Sequence, residues 1–149
     1  MAYDDNATGT ANDELGARLT KDRNDWKIKI SELVNLLKSM NDLSLCQVTM
    51  LSYRQILLEK ITDFKTTKQK RQGAYDRYYK IKYREYSIDY DVKLTSGEKV
   101  AFIKADLSHL RTQMEMLQSH MDYYQECIKT CDNLAFAIRN RISLDDKEY

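Results

Sequence analysis

From Val100 to Ile142 the apolar residues of this chain recur at alternating steps of three and four without a break. They are Val100, Ile103, Leu107, Leu110, Met114, Leu117, Met121, Tyr124, Ile128, Cys131, Ala135, Ile138 and Ile142. Only a helix puts residues at that spacing on one side, so the segment predicts a single heptad-patterned helix of about six repeats, roughly 65 Å long. Its start is marked by Thr95 and Glu98 at capping-box spacing, with Gly97 giving the turn freedom. A seam that long is more than so small a chain is expected to cover with its own residues. The positions Val100, Ile103, Leu107, Leu110, Met114, Leu117 and Met121 are therefore assigned to subunit contacts, and a homo-oligomer is expected.

The remainder agrees with a mainly α fold, because the 149 residues include no proline and only four glycines. Residues 1–12 are small, polar and aperiodic, and are expected to be a disordered tail. Residues 13–149 are expected to form one helical, oligomerising domain. Trp26, Ile30, Leu33, Leu37 and Met40 mark a first amphipathic helix, and Asn41, Asp42 and Ser44 favour a bend or restart after it. A second helix carries Leu51, Leu58, Ile61 and Phe64 toward Gly73. Between Tyr86 and Leu94 apolar and polar residues alternate with period two, which predicts a short strand. The order is thus helix, short strand, long helix, and a lone strand would need a partner from another subunit or a peptide.

Catalytic chemistry finds little support. His109 and His120 lie about 16 Å apart by helical rise, too far to share a metal ion, and read as polar surface residues. Cys127 and Cys131 stand four apart, but Cys131 is on the apolar seam and no third ligand is near, so both read as buried small hydrophobes. Phosphate-cradling glycine loops, His-Glu metal motifs and nucleophile elbows are missing. The expectation is a non-enzyme without cofactor or metal. Three cysteines without framework spacing favour free thiols in a reducing compartment. No apolar run approaches the ~18 residues of a membrane span, and the acidic amino terminus lacks signal-peptide order, so a soluble, cytoplasmic protein without membrane contact is expected.

Charge is balanced overall but unevenly placed. The basic segment, residues 54–85, carries +6, and the rest of the chain −5. Such asymmetry points to one electropositive face. Within that segment Tyr75, Tyr79 and Tyr83 fall on one side of a helix with Lys68, Arg71 and Lys82 beside them, while Arg77, Lys80 and Arg84 fall opposite. Cations that follow a backbone, together with flat rings for unpaired bases, are what single-stranded nucleic acid requires. A tyrosine stripe at helical spacing equally suits packing, with the cations solvating the helix. Lys68, Lys70 and Arg71 are the leading DNA-binding candidates, since three cations in four residues exceed what solubility needs. Arg77, Lys80, Lys82, Tyr75 and Tyr79 follow.

The order "KQKR", "AYDRYY", a short extended segment, "LTSGEKVAFIKADLSHL" and a long helix ending "CDNLAFAIRNRI" resembles the UvsY family of recombination mediators of T-even-type bacteriophages. The likeness covers roughly residues 60–142 and is one of pattern and size. It implies a mainly helical protein that assembles as a ring, a heptamer in that family, and binds single-stranded DNA without sequence preference. It also implies two protein partners, a RecA-like recombinase and the single-strand-binding protein that covers the DNA, and a place in the infected bacterial host cell. A Lys and an Arg that bind DNA in the family match Lys70 and Arg71, with Lys68 adjacent. The family's glycine-rich loop after the tyrosine pair is replaced here by "KIKYREY". The rival reading is a structural or adaptor coiled-coil oligomer whose basic segment meets an acidic protein partner.

Overall fold

The computed structural model describes the backbone of residues 5–147 and the side chains of residues 9–146. Four α-helices follow in order: α1 (Asp5–Leu37), α2 (Leu43–Ile88), α3 (Ser96–Asp106) and α4 (Ser108–Lys147). A 3-10 turn, Met40–Asp42, joins α1 to α2 at the break expected from Asn41, Asp42 and Ser44. Of the expected amino-terminal tail, residues 1–4 lie outside the described residues and residues 5–12 form the first turns of α1.

Two expectations are corrected. No strand occurs among the described residues: α2 runs on through Ile88, and a loop leads from there to α3. Tyr79, Tyr83, Tyr86 and Tyr90 follow each other at steps of 4, 3 and 4, so the period-two segment begins inside a helical pattern. A lone strand leaves its backbone groups unpaired, and here the segment is instead the last residues of α2 through Ile88 followed by a loop to α3. The long seam helix is also divided. α3 ends with Leu107 as its C-cap, and the Leu110 N–H bonds to the Leu107 carbonyl, three residues back. Asp106 and Ser108 flank the break, and both residue types favour helix ends over interiors. Thr95 caps the helix as expected: the Glu98 N–H donates to Thr95 Oγ1 at 3.2 Å, and the Glu98 carboxylate accepts from the Thr95 hydroxyl at 3.1 Å. Gly97 needs no special backbone there, since no described glycine has positive φ.

The chain divides into two compact units, and the boundary falls inside α1, α2 and α4. The second unit, Arg18–Asp63 with Ser119–Tyr149, is built around Leu33, Leu43, Cys46, Met50, Cys131, Leu134 and Ile138. Trp26 is buried edge-on to Tyr53 and Tyr124, with ring centroids at 5.6 and 6.5 Å. Burying each large side chain contributes about 1.5–3 kcal/mol. Asp22 sits within this unit as a polar hub, taking the Tyr124 hydroxyl at 2.5 Å and His120 Nε2 at 2.8 Å on one oxygen, with Lys60 at 3.7 Å from the other. His120 is therefore fully buried and not the surface residue expected. Arg141 closes the unit by donating to the Leu37 and Lys38 carbonyls at the end of α1, where a cation is favourable.

The first unit, Met1–Ala17 with Phe64–Gln118, has a smaller core of Ile103, Leu107 and Leu110, rimmed by Tyr75, Tyr79 and Tyr86. α1 meets α4 at Asn12, which accepts from Gln113 Nε2 at 2.8 Å and donates to the His109 carbonyl at 3.4 Å. A Cβ at Gly16 would stand 3.2 Å from the Met116 methyl, so the missing side chain allows close helix approach.

Candidate nucleic-acid interface

The carboxyl half of α2 settles the environment of the tyrosine stripe. Tyr75 and Tyr79 pack against Ile103, Leu107 and Leu110, their own rings 6.2 Å apart. Tyr86 packs on the same cluster, and its hydroxyl donates to Asp106 at 2.5 Å. That bond, with burial, pushes the Tyr86 phenol up to about 12. Tyr75 and Tyr79 thus lie on the inner face of the helix, whereas Tyr83, the third ring of the expected stripe, is exposed with Lys99 Nζ 5.4 Å from its ring centroid.

Two nominated cations share that inner face. Lys68 donates to Gln118 Oε1 at 2.7 Å, and Lys82 lies between Glu85 at 3.7 Å and Asp106 at 3.9 Å. Both help to hold α2 against the α3–α4 segment of this unit.

The other cations face outward. Lys70, Arg71, Arg77 and Lys80 are exposed, as is Arg84, and none is hydrogen-bonded or ion-paired to another described residue. At 100° per residue Lys70, Arg77, Lys80 and Arg84 fall within an arc of about 80°, nearly opposite Tyr75, Tyr79 and Tyr86. They span about 21 Å of helix at ~1.5 Å per residue. Arg71 stands apart on the flank. The single acidic residue between Lys70 and Arg84, Asp76, accepts from Gln72 at 3.0 Å. This stripe is the strongest concentration of unpartnered charge on the helix, and it exists because i+7, i+3 and i+4 spacing returns each cation to one side. Arg84 was not among the nominated site residues, although the spacing from Arg77 carries its signal.

The seam assigned to subunit contacts lies mostly inside the chain itself. Ile103, Leu107, Leu110, Met114, Leu117 and Met121 are buried and Val100 is half-buried. The reason for expecting other subunits along this seam is therefore removed. α2 has 46 residues, about 69 Å of helix, which lets each unit cover its own part of α4. Apolar positions of α2 that do face outward are Leu45, Val48, Leu51, Ile56, Leu58, Ile81 and Ile88.

Cys46, Cys127 and Cys131 are free and buried, and burial raises all three thiols, Cys131 to about 11. That environment suits packing and opposes thiolate reactivity. Among the described residues no group of three or more His, Cys, Asp or Glu could hold a metal ion, and no helix is long and apolar enough to cross a membrane. Comparison with family models, curated proteins and solved structures finds no match to this chain.

Proposed function

We propose that this chain is a non-catalytic, single-stranded-DNA-binding protein that acts as a recombination mediator, helping a RecA-like recombinase onto DNA covered by single-strand-binding protein. The observation that carries the DNA-binding part is the outward stripe of Lys70, Arg77, Lys80 and Arg84. Cations at i, i+3 and i+4 repel one another and weaken a helix, so folding alone gives no reason to gather them. A phosphate backbone laid along the stripe would relieve that repulsion and release counterions. The mediator role and its protein partners rest on the sequence resemblance.

A ring of subunits, a heptamer by the same resemblance, would repeat the stripe and raise affinity by effective concentration. With the α4 seam covered inside the chain, assembly would draw on exposed apolar positions such as Leu45, Val48, Leu51 and Leu58.

Fluorescence anisotropy of a labelled single-stranded oligonucleotide over a salt series tests the DNA-binding reading. Four phosphate contacts per chain predict a log–log slope of about −3, and alanine at all four stripe positions should remove most of it. Salt-insensitive or absent binding by folded protein would overturn the proposal and favour the adaptor reading, in which the stripe meets an acidic protein.

A further inference from the structure

With Tyr75 and Tyr79 turned inward, the first unit keeps a second group of rings that does reach solvent. Tyr86 holds Tyr90 edge-on at 5.3 Å and Phe102 at 5.7 Å, and Tyr90 and Phe102 lie 6.4 Å apart. Tyr86 is fixed by its bond to Asp106, whereas Tyr90 and Phe102 remain 48% and 40% exposed. Glu85, Tyr86, Asp89 and Tyr90 line a shallow cleft of about 330 Å³ beside these rings. Its first lining residue, Glu85, follows Arg84 in sequence, and Tyr86 places the cleft on the side of α2 nearly opposite the stripe.

We propose that this corner, from the end of α2 to α3, is a stacking site for an unpaired nucleobase carrying an exocyclic amino group. The inference rests on the nucleic-acid reading above and assigns to that surface a base-recognising end. Two observations select a base over other occupants. The rings offer faces and edges on which a flat, neutral heterocycle stacks, held by a Tyr86 that is itself immobilised. The charged groups lining the cleft are the carboxylates of Glu85 and Asp89, which repel phosphate and accept hydrogen bonds, beside the hydroxyl-bearing rings of Tyr86 and Tyr90. Lys82 approaches Oε2 of Glu85 at 3.7 Å, leaving Oε1 to accept. A strand leaving the stripe at Arg84 would pass around the end of α2 to turn a base into the cleft, which lies on the Tyr86 side of the helix.

Carboxylate acceptors suit the amino groups of cytosine, adenine and guanine. Thymine offers one donor between two carbonyl oxygens, which the carboxylates oppose. The site therefore favours cytosine, adenine and guanine over thymine, a preference the cation stripe cannot produce.

Anisotropy with labelled oligodeoxycytidine and oligothymidine of equal length, at matched salt, tests this in the full chain. Wild type should bind oligodeoxycytidine several-fold more tightly than oligothymidine. Tyr90→Ala, in an exposed loop position, should weaken oligodeoxycytidine binding about tenfold with the salt slope unchanged. Glu85→Gln with Asp89→Asn should reduce the preference for cytosine. Salt-sensitive wild-type binding that Tyr90→Ala leaves unaltered, or equal binding of the two oligonucleotides, overturns the base site while the stripe stands. Absence of salt-sensitive binding to either oligonucleotide overturns both.

Discussion

The two halves of α2 solve different problems with one continuous helix. From Leu43 to Tyr53 it contains no charged residue, whereas from Phe64 to Ile88 it contains eight basic and two acidic ones. The first half packs on the second unit's core through Leu43, Cys46 and Met50, the second on the first unit's core through tyrosines. A tyrosine ring buries apolar area while its hydroxyl remains near water or a polar partner, as Tyr86 does with Asp106. Tyrosine packing therefore suits a helix whose outer face is kept wet and cationic. Most of the buried apolar side chains lie in one unit and the candidate binding chemistry in the other, and the predictions test how clean that separation is.

The largest effect is expected at Trp26. Truncating it to alanine removes a fully buried ring and should cost about 3–5 kcal/mol in urea unfolding. A loss below ~1 kcal/mol would mean that the second unit is not the stability centre.

Next comes the polar hub. Tyr124→Phe removes a hydrogen bond to a carboxylate and should cost ~1.5–3 kcal/mol. Burial works to raise the Asp22 carboxyl, but hydrogen bonds from Tyr124 and His120 and the charge of Lys60 outweigh it and hold it below the usual value of 3.8. A depressed folded value means that the Asp22 contribution is present above the unfolded value and is lost as pH falls toward the folded one. The wild-type urea midpoint should accordingly drop as pH falls below about 5, and Asp22→Asn should flatten that part of the curve. A parallel decline in both proteins would assign acid sensitivity elsewhere.

Smaller still is Tyr86→Phe, which removes the hydroxyl bonded to Asp106 and should cost about 1 kcal/mol. Because Lys82 still reaches Asp106, the carboxylate keeps a partner. The oligonucleotide salt slope should stay as in wild type, since no stripe cation is touched.

How much of this was legible in the sequence depended on whether a feature was local. The break near Asn41 and the Thr95–Glu98 cap follow from adjacent residues, and the seam of α4 from period alone. What covers the seam was not legible, because Gly73 and the alternation after Tyr86 made α2 look short. A glycine inside a helix costs only about 1 kcal/mol against alanine, which flanking turns can absorb. A 46-residue α2 changes the answer, since the seam then finds its cover within the chain. Partner choice was equally hidden: Lys68 and Lys70 are two residues apart, yet one reaches Gln118 and the other faces water. His120, next to seam residue Met121 and four before Tyr124, carried a signal of burial in its position that its polarity masked.

The smallest effect on folding, and the sharpest test of the separation, belongs to the stripe. Arg77 and Lys80 are three apart and Lys80 and Arg84 four apart, so each pair brings like charges together on the helix surface. Such pairs destabilise a helix by ~0.2–0.5 kcal/mol each, and alanine is the better helix former. Replacing Lys70, Arg77, Lys80 and Arg84 with alanine should therefore leave unfolding free energy unchanged or raise it by under ~1 kcal/mol, as urea titration would show. The same substitutions should remove most of the salt-dependent oligonucleotide affinity. A variant that binds less and folds at least as well would show that these cations are kept for a polyanion and at some expense to the helix. A marked loss of stability would instead make the stripe part of the fold, and the difference between the two halves of α2 would be one of packing style alone.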